Sequence, residues 1–170
     1  MQIKENTVFI SKSKNVVLDI ISKEEIHIGT FMWRFSLKVN NKEVENIYIG
    51  SETDYLESNL NNYQFESIDA RYLFFPNEQV TIYDVDNNVF YSLYKQIRDK
   101  SNSFIGNIFF KDKLIVIHER EFFSIDLDKK ETNSIVFFGN QKIIDFHKVD
   151  NDEKCIILEF NDASRRKIKI

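Results

Sequence analysis

Three histidines, one thiol and a scatter of carboxylates are the groups in this chain with chemical reach. His27, His118 and His147 never fall in the His-x-x-x-His spacing that sets two imidazoles on one helical face for zinc. The segment His118-Glu119-Arg120-Glu121-Phe122 begins like a zinc-protease motif and breaks it with phenylalanine. Cys155 lies within Lys154-Cys155-Ile156-Ile157-Leu158, the setting of a small buried hydrophobe rather than an activated thiolate. Without a second cysteine, neither an internal disulfide nor a thiolate-rich zinc site can assemble. Asp84-Val85-Asp86-Asn87-Asn88 copies the opening ligands of a calcium loop, which then requires glycine at its sixth position and a bidentate glutamate at its twelfth. Those positions hold Val89 and Lys95. A Gly-x-Ser-x-Gly elbow and a phosphate-cradling loop are also missing. The expectation is no metal, no cofactor and no enzymatic activity.

Charge placement is more informative. Asp84, Asp86, Glu119, Glu121, Asp126 and Asp128 gather where strands are expected to end, and are the candidate partner-binding residues. Strands lying side by side would line these carboxylates along one rim, able to steer a cationic protein. Arg165, Arg166, Lys167 and Lys169 suit a protected edge strand. A net charge of −4 argues against a broad phosphate-binding surface, so no nucleic-acid partner is expected.

The elements that must position these groups are mostly strands. Trp33, Phe35, Leu37 and Val39 alternate with Arg34, Ser36, Lys38 and Asn40, the period of a half-buried strand. Asn40-Asn41 suits a tight turn into a strand over Val44–Ile49, because asparagine tolerates left-handed dihedrals. Ile26 and Ile28 alternate in the opposite phase, which places a bulge or short turn at Gly29-Thr30. After Ser103 the sequence predicts strands over 104–110, 114–119, 121–127, 134–138, 142–149, 154–160 and 166–170, separated by polar turns. Two short helices are expected. One is capped by Ser51-Glu52-Thr53-Asp54 and carries Tyr55, Leu56 and Leu60; the other follows Val89, Phe90, Leu93, Tyr94 and Ile97. High β propensity leaves a strand open as the alternative for the second. Tyr83-Asp84-Val85-Asp86 is echoed by Ile125-Asp126-Leu127-Asp128 at an offset near the length of a propeller blade. The fold class is therefore mainly β: an antiparallel meander, sandwich or partial barrel with one or two short helices, a propeller-like arrangement being the minor alternative. With no linker or composition break, residues 1–170 read as one domain.

At 170 residues, with 42% hydrophobic and 29% charged residues, the chain has the balance of a globular protein and length enough for a core. No stretch is apolar over the roughly 18 residues needed to span a bilayer, and the first residues lack a secretory h-region. A cytoplasmic address without membrane partners is expected. This profile (small, acidic, β-rich, without signal or catalytic motif) resembles the immunity proteins of bacterial contact-dependent and other polymorphic-toxin systems. The resemblance implies a stoichiometric inhibitor whose partner is a cognate toxin domain, possibly a nuclease, and which needs no catalytic residue of its own. The other reading is a small-molecule or glycan-binding β module, with Trp33, Tyr48, Tyr72, Tyr83 and Tyr91 as stacking surfaces. The fold expectation is checked by circular dichroism: a β-type spectrum is expected, and dominant helical minima would overturn it.

Overall fold

Local hairpins build this molecule, because nearly every apolar run is followed within a few residues by a polar turn able to reverse the chain. The computed structural model describes residues 7–11, 16–28, 30–51, 64–75, 81–92, 104–110, 112–149 and 152–170, and none of these is helical. Strands β1 (Thr7–Ser11), β2 (Val16–His27), β3 (Thr30–Val39) and β4 (Lys42–Ser51) form one sheet in chain order. A three-stranded sheet follows from β5 (Tyr72–Phe75), β6 (Thr81–Asp84) and β7 (Val89–Ser92). Next come β8 (Phe104–Phe109), β9 (Lys113–His118), β10 (Glu121–Asp126) and β11 (Glu131–Phe137), again paired in sequence. Strands β12 (Ile143–Val149), β13 (Asp152–Phe160) and β14 (Arg165–Lys169) make the fourth sheet. All pairings are antiparallel, so each sheet is an open meander. Two compact units emerge, one holding β1–β7 and the other Gln64 with β8–β14.

The expected turn at Asn40-Asn41 forms with φ of 51° and 63°, joining Val39 directly to its cross-strand partner Lys42. The phase change near Gly29 coincides with the β2–β3 reversal, where His27 pairs with Thr30 and the register shifts between Glu25 and His27. The seven strands expected after Ser103 all form, with ends displaced by a few residues at most. The helix expected from Val89 is corrected where it is described: Val89–Ser92 is strand β7, and Tyr83 pairs with Phe90 across the hairpin. Asn88 supplies the reason, since its φ of 53° reverses the chain just before Val89 and hands three residues of high β propensity to β6. Residues 93–97 lie outside the described residues. So does the helix expected after Ser51, which itself ends β4.

In the first unit, β5 is buried along its whole length, and Phe35, Leu37, Ile82 and Tyr83 are buried as well. In the second, Ile115 and Ile117 of β9 pack with Phe122, Ile143, Phe146, Ile156, Leu158 and Phe160. Strand β9 is buried on both faces, as its unbroken run Leu114-Ile115-Val116-Ile117 requires. Buried Asn107 is satisfied by the chain beside it: its amide donates to the Gln64 carbonyl at 2.9 Å and its side-chain oxygen accepts from the Gln64 N–H at 2.9 Å. Lys148 on β12 reaches β8, donating to the Phe109 carbonyl at 3.0 Å with its ammonium 4.8 Å from the Phe110 ring centre.

A polar clasp closes the β13–β14 end. Asp162 accepts from the Ser164 hydroxyl and N–H and from Gln141 Nε2 at 2.7 Å, while Arg166 donates to the same glutamine and lies over Phe138 and Phe160. Those hydrogen bonds favour the charged carboxylate and lower the Asp162 pKa from 3.8 to about 2. A pKa depressed by folding stabilises the native state above the unfolded value, and that stabilisation fades as pH falls from 3.8 towards 2. Asp162→Asn should therefore blunt the acid sensitivity in this window, as followed by melting temperature against pH. Leu158→Ala, which empties a fully buried position, should cost about 3 kcal/mol in denaturant unfolding.

Candidate functional site

The carboxylates singled out by the sequence divide into those that build turns and those that turns display. Strands β6 and β10 both end in aspartate, and a four-residue loop follows each. Asp84 Oδ1 accepts from the Asn87 N–H at 3.2 Å; Asp126 Oδ1 accepts from the Lys129 N–H at 2.9 Å. The fourth loop residue is left-handed in both, Asn88 at φ 53° and Lys130 at φ 59°. Backbone bonds lock the loops from below in the same way: Val85 N–H to the Arg71 carbonyl at 2.8 Å, and Leu127 N–H to the Asp112 carbonyl at 3.0 Å. The sequence echo is thus a repeated turn.

Asp84 is fully buried. Besides the Asn87 backbone, it accepts from Asn87 Nδ2 at 2.8 Å and from the Arg71 guanidinium at 3.2 Å. Burial pushes its pKa up, but the bonds from Asn87 and Arg71 outweigh it and hold the carboxyl below the ordinary range. Asp86, two residues on, projects at the loop tip with its side chain 48% exposed and the Arg71 Nε 4.0 Å away. Asp128 is its exposed counterpart on the second loop. Asp126 is nearly covered and lies 3.5 Å from the Lys129 ammonium.

Glu119 is half-buried and pairs with Lys142 at 3.0 Å, while Glu121 is fully buried. These two stand at the start of β10 and Asp126 at its end, so roughly 17 Å of strand separates Glu121 from Asp126. Glu119 and Glu121 share no single rim with Asp126 and Asp128: the first pair stands at the start of the inner strand β10 and the second at and beyond its other end, at opposite ends of the sheet along the strand direction.

Arg71 and the preceding turn carry no motif in the sequence, yet they complete this end of the β5–β6–β7 sheet. The Ser67 hydroxyl donates to Asp69 Oδ1 at 2.7 Å, the Arg71 N–H donates to the same oxygen at 3.2 Å, and Ala70 takes φ 58°. Burial raises the Asp69 pKa, and the Ser67 and Arg71 bonds bring it below its ordinary value. Ser67-Ile68-Asp69 was the available signal, a serine–aspartate turn without the glycine that usually advertises one. Ile68, in this turn, is 75% exposed, and Val89, at the start of β7, is 41% exposed.

The stacking surfaces required by the glycan reading are partly absent. Tyr72 and Tyr83 are buried, and the Tyr83 hydroxyl is spent on Asn88 Oδ1 at 2.7 Å. Among the described residues no group of three potential ligands could hold a metal ion.

No protein-family model and no curated protein matches the chain. Among solved structures, the C-terminal WD40 domain of Sif2 is similar over 89% of this chain and 55% of its own, at 10% identity and a TM-score of 0.38. Two structures of the extracellular domain of BT4673 from B. thetaiotaomicron are similar over 89% and 88% of this chain, at 9% and 12% identity with TM-scores of 0.43 and 0.44. The chain spans 30% and 23% of those two chains.

The division between building and displayed carboxylates has a stability signature. Asp84→Ala removes the buried acceptor shared by Arg71 and two Asn87 donors and should cost about 2–3 kcal/mol in urea unfolding, between the values of exposed and fully buried pairs. Asp126→Ala should cost about 1 kcal/mol and Asp86→Ala about zero.

Proposed function

We propose that this chain is a stoichiometric protein-binding inhibitor of the immunity type, which neutralises a cationic toxin domain by occupying its surface. The observation that carries the reading is the repeated turn. Asp86 and Asp128 sit at the same position of the same loop, each exposed, each on a backbone that an inward-facing aspartate holds still. A carboxylate on a rigid loop meets a basic surface at little entropic cost and can take the place of a phosphate oxygen among lysines and arginines. The chain's net charge of −4 adds a long-range attraction for such a partner. Among the described residues no helix is long and apolar enough to cross a membrane. The reading assigns the chain to the cytoplasm, where it would meet an incoming toxin.

The test is inhibition by the purified chain of the toxin domain encoded beside it. Activity should fall linearly and vanish at one equivalent. Asp86→Asn combined with Asp128→Asn should slow association about fivefold at low ionic strength and hardly at all in high salt, measured by stopped flow. A neighbouring gene that encodes no toxin, or a toxin indifferent to the chain, removes the inhibitor reading.

A further inference from the structure

We draw no further inference here: the strongest candidate, the exposed isoleucines Ile21, Ile26 and Ile28 on the second half of strand β2 and the turn after it, carries nothing because nothing in the structure shows what covers them.

Discussion

Most of the tight reversals among the described residues place a residue in the left-handed region, the two-residue turn at Glu119-Arg120 being an exception, and the rest of this structure depends on those reversals closing. Every strand pairs with its neighbour in sequence, so the sheets exist only if these reversals close. Glycine would be the inexpensive solution, yet among the positive-φ positions of the described residues it serves at Gly139 alone. Asn40, Asn41, Ala70, Asn88, Lys130 and Ala163 take the same conformation against a steric cost of about 1 kcal/mol each. Side-chain bonds to the turn backbone offset it at Asp69, Asp84, Asp126 and Asp162.

That solution links architecture to surface chemistry. An aspartate that accepts from the turn backbone must point inward and cannot face a partner. The next carboxylate in the loop is then displayed on a framework already paid for in ordering entropy. Asp84 and Asp86 divide these tasks on one loop, Asp126 and Asp128 on the other. Similar backbones can in this way carry unlike surfaces, since the loop-closing bond to each aspartate comes from the backbone N–H of Asn87 or Lys129 and leaves the residue type open there.

The aromatic load follows the same economy. Most of the described phenylalanines fill the interiors, as at Phe35, Phe74, Phe109, Phe123 and Phe160, and tyrosines at 72 and 83 join them. Arg166 covers the rim of one such interior with its guanidinium over Phe138 and Phe160, an edge strand turning basic residues to packing as well as to solubility.

Strand identity was determined locally, because a period of two and a flanking polar pair are properties of five to eight consecutive residues. This is why the hairpins after Ser103 and the Asn40-Asn41 turn were legible in the sequence by itself. The period of Val89, Phe90, Leu93 and Tyr94 fits a helix equally well, and only pairing with β6 decided for a strand over Val89–Ser92. Six acidic residues looked alike in the sequence, where each is a charge near a strand end. Tertiary structure buried Asp84 and Glu121, placed the two ends of β10 at opposite ends of its sheet, and brought Arg71 beside Asp84 and Asp86. Burial and cross-strand adjacency are relations between segments, and no local pattern encodes them.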